Sequence, residues 1–239
     1  MKSKNQMLVK DFSGLAKFLQ QTTIELSEAI TGFLSSDTND KKLAAGHIIQ
    51  SIFKGNLINQ FGRELNNFRE KGLIKEDYFA THKQQATLVE FLKFIDSGET
   101  PDEERFKAMK SLFFYSISKE ATEKTEKDAY EMMQICKELS SMEVLILKAN
   151  FNLVIGTAKS HAGKNVSKRT NTRATWFITV ANELGYDFPE IVGRHEKHLM
   201  ELKLISEIDN PSRNAMIPTD YFRLTTLGYK LCEFITKYD

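Results

Sequence analysis

The 239-residue sequence predicts a mainly α chain, with a helical bundle over about 1–138 and a second domain over about 139–239. Three observations carry this. Apolar residues recur at the three- and four-residue spacing of a helix through most of the first 155 positions. Several segments open on a hydroxyl or carboxylate followed three residues later by Glu, the signature of a helix start. The β signal comes late: residues 204–208 and 221–224 are short apolar runs around a turn-rich stretch at 209–219, the pattern of a small β-hairpin.

Along the first part of the chain, Phe12, Leu15, Phe18, Leu19, Leu26, Ile30 and Phe33 keep one helical stripe inward, and Asp37-Thr-Asn-Asp40 ends it and caps the next helix. That second helix runs from about Lys41 to Glu70, with Ile48, Ile52, Leu57, Phe61, Leu65 and Phe68 near one face and Gly72 as its stop. Leu88, Phe91, Leu92 and Ile95 mark a further helix that ends at Ser97-Gly98. Thr100-Pro-Asp-Glu103 combines a cap hydroxyl, a proline at the first helical position and a returning carboxylate. The helix it opens is expected to bury Phe106, Met109 and Phe113. Ser140-Ser-Met-Glu143 is a second capping box, and Asp187-Phe-Pro-Glu190 repeats the logic with an Asp cap. Residues 156–172 are small and polar and read as a loop.

Composition excludes several classes. Lys and Arg total 33 against 32 Asp and Glu, so net charge supplies no polyanion footprint and any such reading rests on local charge. Cys136 and Cys232 are the only cysteines; they lack the number and spacing of a zinc knuckle or disulfide framework and sit among apolar neighbours as core residues. The polar start and the absence of an apolar run near the ~20 residues of a membrane span predict a cytoplasmic protein. Lys41 to Arg63 contains no acid and is apolar on one side, which suits a membrane surface. Its Gly46, Gly55 and Gly62 favour close packing against a neighbouring helix instead.

Enzyme motifs fail on their own requirements. Gly163-Lys164 lacks the earlier glycine of a phosphate-binding loop, because Ala158 stands there, and Asn165 replaces the magnesium-binding hydroxyl. His195-Glu196-Lys197-His198 places its histidines three apart, where the zinc-protease motif needs four. Asp102-Glu103-Glu104 belongs to a helix start, and the alternating charges of Glu120 to Asp128 fit an exposed helix face. No enzyme activity, cofactor or metal is predicted.

Helices at about Met142–Leu153, Arg173–Leu184 and Pro189–Leu202, then the hairpin, a Thr cap and a closing helix opened by Leu227-Gly228, resemble the winged helix-turn-helix family. The resemblance implies that the third helix enters a DNA groove and that the wing lies along the backbone. Arg194, Lys197 and His198 are then the outward candidates on that helix, and Arg213 and Asn214 those of the wing tip. Glu190, Glu196 and Glu201 lie on the same helix and oppose phosphate contact. The loop before the second helix offers Lys159, Lys164, Lys168, Arg169 and Arg173, with no acid between Asn150 and Asn182. A phosphate-holding loop and a solvated connector both fit it. The whole layout is also similar to bacterial proteins of the abortive-infection alpha type, on the phrases Leu139-Ser-Ser-Met-Glu-Val-Leu-Ile-Leu147, His198-Leu-Met-Glu-Leu-Lys-Leu-Ile205 and Leu224-Thr-Thr-Leu-Gly228. That similarity implies a prokaryotic or phage-linked protein with a defence role. The expectation is a non-enzymatic nucleic-acid-binding or regulatory protein with DNA as partner. The alternative is a module that docks a protein partner or a second copy of itself.

Overall fold

The computed structural model describes residues 40–75, 81–96, 103–160, 173–207 and 223–238, with side chains from Lys54 in the first helix and up to Gly156 in the fifth. Among these residues the chain is mainly helical, as expected. The helices are α1 (Asp40–Glu70), α2 (His82–Asp96), α3 (Glu103–Ile117), α4 (Glu123–Glu138), α5 (Ser141–Ser160), α6 (Arg173–Glu183), α7 (Glu190–Glu201) and α8 (Thr226–Thr236). The described β pairing consists of two isolated antiparallel bridges, Ile74 with Ser118 and Ile205 with Leu224. The chain divides into two compact units, Met1–Pro101 with Ile117–Ala121, and Asp102–Ser116 with Thr122–Asp239.

In the first unit α1 and α2 pack through Phe61 on Phe91, whose ring centroids lie 4.9 Å apart. Leu57, Ile58 and Leu65 of α1 and Phe94 and Ile95 of α2 are buried with them. Gly72 ends α1 as predicted. Its φ of +65° lets the Leu73 N–H reach back to the Phe68 carbonyl at 2.9 Å and its own N–H to Arg69 at 3.0 Å. The start of α2 is a capping box: Gln84 N–H donates to Thr81 Oγ1 at 3.1 Å and Thr81 N–H to Gln84 Oε1 at 3.2 Å. Among the described residues nothing packs closely on Gly55 or Gly62, and Gly46 lies where side chains are not described. A Cβ added at Gly55 or Gly62 meets nothing within 4 Å, so their lack of a side chain is not what brings a described neighbour near.

In the second unit Phe106, Met109 and Phe113 of α3 are buried as their spacing predicts, with Leu112 and Phe114 beside them. The Thr100–Glu103 cap lies outside the described residues. Thr122 caps α4 by accepting from Thr125 N–H at 3.2 Å. The charged run there is only partly an exposed face: Glu126 is buried, and Asp128 receives Lys230 of α8 at 2.5 Å. Helix α8 is held on α3 by Ser111 Oγ–H donating to the Phe234 carbonyl at 2.7 Å and by Tyr115 stacked on Phe234 at 3.9 Å. Cys136 and Cys232 are both buried free thiols, as expected of core residues. Burial pushes the Cys136 thiol up to about 12 and raises that of Cys232 as well.

Helices α5, α6 and α7 pack on one another, and α8 packs on α5. Ser140 and Glu143 open α5 as a capping box, with Ser140 N–H to Glu143 Oε2 at 2.7 Å and Glu143 N–H to Ser140 Oγ at 3.3 Å. Gly185, at φ +73°, turns the chain from α6 toward α7. Asp187 does not cap α7. Pro189, already helical at φ −59°, occupies the cap position without a side-chain bond, and Ile191 N–H to Phe188 O at 3.2 Å closes the first turn. At the far end Lys203 takes φ +60°, which sends Leu204 N–H to Leu199 O at 3.0 Å and terminates α7 in the same way that Gly72 terminates α1.

The expected hairpin is described only at its base. Around the Ile205–Leu224 bridge, Ser206 N–H donates to Arg223 O at 2.7 Å and Thr225 N–H to Leu204 O at 3.1 Å. Its tip at 209–219 lies outside the described residues. Thr225 then caps α8: its Oγ1 accepts from Gly228 N–H at 3.0 Å and donates to Lys203 O at 2.6 Å. Gly228 presses its backbone against Leu204. An added Cβ would overlap the Leu204 carbonyl oxygen and stand 3.2 Å from Leu224 Cδ2.

Candidate functional site

The third helix of the α5–α7 group, α7, has two chemically distinct faces. Glu190, Arg194, Lys197 and Glu201 are exposed along one side. Lys197 and Glu201 form a 3.6 Å ion pair one turn apart, which solvent renders weak. Val192, Glu196 and Leu199 are buried along the other side. Glu196 is therefore not an acid directed at a ligand's phosphates, because its one-turn neighbours carry it into the core.

At 2% exposure, Glu196 is satisfied by two arginines. Arg223 Nη1–H donates to its Oε1 at 2.5 Å, and Arg173 Nε–H donates to its Oε2 at 2.6 Å with Nη2 on the same oxygen. Arg223 is itself buried at φ +60°. Its Nε–H donates to Ser206 O at 2.8 Å, and its guanidinium lies 4.6 Å from the centre of the Trp176 ring. Trp176 continues the chain of polar contacts: its indole N–H donates to Asn150 Oδ1 at 2.8 Å, and Asn150 Nδ2–H donates to the Ile146 carbonyl, also at 2.8 Å. One run of contacts thus ties α5, α6, α7 and the bridge segment together. A buried carboxylate is tolerated because both its oxygens are matched by charged donors.

A second carboxylate organises the other edge of α7. Glu143 Oε1 meets His198 Nδ1 at 2.8 Å and His195 Nδ1 at 3.4 Å, while Oε2 serves the Ser140 cap. Burial alone raises the Glu143 pKa; the hydrogen bonds from Ser140 and His198 outweigh it and hold the carboxyl below its ordinary range. The two histidines face a carboxylate on α5. No group of three His, Cys, Asp or Glu side chains among the described residues is placed to hold a metal ion. A groove of about 280 Å³ beside the bridge is lined by Met200, Lys203, Ile205, Glu207, Thr225, Thr226 and Leu227, and contains no histidine or cysteine to pair with its hydroxyls.

Of the residues expected to hold phosphate, Arg194 and Lys197 lie on the outer face of α7, one turn apart, and His198 sits at its edge against Glu143. Arg173 starts α6, remains 65% exposed in its side chain, and is committed to Glu196. Residues 156–160 are the last turn of α5 and not loop, and Lys159 lies there with its side chain outside the described residues. Lys164, Lys168, Arg169, Arg213 and Asn214 lie outside them altogether. Sequence reasoning missed Arg223, and it assigned Glu143 to the α5 cap without its contacts to His195 and His198. The available signal was the Val192–Glu196–Leu199 spacing, which demands an internal cation for Glu196.

Comparison with protein-family models, with curated proteins and with solved structures gives no match to this chain.

Proposed function

We propose that the chain is a non-enzymatic nucleic-acid-binding or regulatory protein whose α7 contacts phosphates through Arg194 and Lys197. The observation that carries this reading is the division of charge on α7. Its central glutamate is neutralised inside by Arg173 and Arg223, which leaves two cations between two acids on the exposed face. Three packed helices followed by the Ile205–Leu224 bridge and a capped closing helix support a winged-helix reading of residues 139–239. The basic residues at 159–169 and Arg213 and Asn214 extend the same reading to the flanking segments.

The test is fluorescence anisotropy of the full chain with a labelled short duplex over a salt series. Binding should weaken linearly in log salt, and Arg194→Gln with Lys197→Gln should lower that slope by roughly 0.9 for each phosphate contact removed. An unchanged slope and affinity would take α7 out of the interface.

Phe188 and Ile178 favour a second reading. They are 67% and 48% exposed, on the segment before α7 and on α6, two large apolar side chains open to a docking partner. Sedimentation of the full chain decides this: a dimer dissolved by Phe188→Ser supports self-docking, and a monomer at every concentration removes it.

A further inference from the structure

The buried stripe of α7 contains one residue that is not apolar, and it lies at the centre. Val192 and Leu199 flank Glu196 by one turn on each side, and all three are buried. Apolar contacts are non-directional, so such a stripe alone allows a helix to settle at several rotations about its axis. A carboxylate gripped from two sides does not. Arg223 approaches one oxygen of Glu196 from the bridge segment and Arg173 approaches the other from α6. Arg223 is fixed in turn by the Ser206 carbonyl and the Trp176 ring, so its guanidinium has little freedom to track a turning helix.

We infer that Glu196 is a positioning residue of α7: beside the Glu143 contact to His195 and His198 at the helix edge, the Arg173–Glu196–Arg223 clasp fixes the rotation of the helix and thereby the direction in which Arg194 and Lys197 point. Replacing such a triad by apolar groups of similar size often leaves stability intact and takes away its directed bonds. The rotational role of Glu196 stands on the geometry alone. Its consequence for ligand binding rests on the nucleic-acid reading above.

Nitroxide labels at Asn182→Cys on α6 and Arg194→Cys on α7 measure the rotation directly by pulsed electron–electron distance spectroscopy on the full chain. Both positions are exposed, and the native Cys136 and Cys232 are buried, so the labels go where they are placed. Glu196→Gln alone leaves two arginine charges without their carboxylate and risks unfolding, so the informative background is Arg173→Met, Glu196→Leu and Arg223→Met together. The expected result is a folded, cooperatively melting protein whose distance distribution is broadened or shifted relative to the native clasp. A distribution of the same centre and width overturns the inference. Duplex affinity is then compared with and without the clasp substitutions in the unlabelled chain. A loss of tenfold or more with the salt slope changed by no more than the removal of Arg173 itself supports a positioning role, and unchanged affinity despite a broadened distribution overturns the claim that rotation sets binding. If the native chain binds no duplex, the nucleic-acid reading fails while the distance measurement still decides the role of Glu196.

Discussion

The α-carbon of Gly228 lies so close to the carbonyl of Leu204 that no side chain fits between them. The helix α8 therefore starts in contact with the backbone of the bridge, and the contact is possible only at glycine. Gly228→Ala is expected to destabilise the chain by about 3 kcal/mol, the upper range for overpacking, because the obstacle is backbone that cannot swing aside. Urea unfolding monitored by circular dichroism measures it.

Thr225 performs two tasks with one hydroxyl, capping α8 through Gly228 N–H and donating to Lys203 O. Thr225→Ala should cost about 1–2 kcal/mol, and Thr225→Ser should retain most of that, since the oxygen and not the methyl makes both bonds. A loss equal in the two variants would assign the effect to packing.

Lys203 is exposed and holds the left-handed conformation that ends α7. Lys203→Gly removes the steric cost of a Cβ there but frees the unfolded chain, so the net gain should be small, about 0.5 kcal/mol of added stability. Thermal melting reads the direction. A lowered midpoint would mean that the lysine stem contributes more packing than its exposure suggests.

Glu143 gives a pH dependence with a definite sign. Its folded pKa lies below its ordinary value of 4.5, so its stabilising contribution is present above about that pH and is lost as pH falls through the lower folded value. The unfolding free energy of the native chain should therefore decline with acidification below roughly pH 4.5, and Glu143→Gln should flatten that part of the profile. Parallel native and variant curves through this window would show that Glu143 does not carry the decline.

The thiols of Cys136 and Cys232 are buried and shifted away from the reactive thiolate form. A thiol reagent at neutral pH should modify neither in the folded chain and both in denaturant. Rapid modification of either without denaturant would locate a local opening in the second unit.

Much of the helical layout is readable from local chemistry. The Ser140–Glu143 box, the Gly72 stop, the buried Phe106–Met109–Phe113 stripe and the Thr225 cap depend on neighbours within a few residues, and pattern captures such pairs. The failures have a different origin. Gly55 and Gly62 look like packing glycines, yet no described neighbour crowds them, because whether a helix surface is crowded depends on what lies across from it. Asp187 looks like a cap, but Pro189 takes the cap position two residues later. Glu196 looks like a companion of Glu190 and Glu201, because all three are acids on one helix. Its burial depends on Arg223, a residue 27 positions away that reaches it from a left-handed backbone conformation no local pattern announces.

Trp176 is the single tryptophan of the chain, and it stands where the contacts of α5, α6 and the bridge segment meet. Its indole N–H is anchored to Asn150 and its ring face is covered by a guanidinium. The chain thus contains its own optical gauge: selective excitation of that indole samples only the second unit, while far-ultraviolet dichroism averages the helices of both. If the two signals change at different denaturant concentrations, the units unfold separately, and no label or truncation is needed to see it.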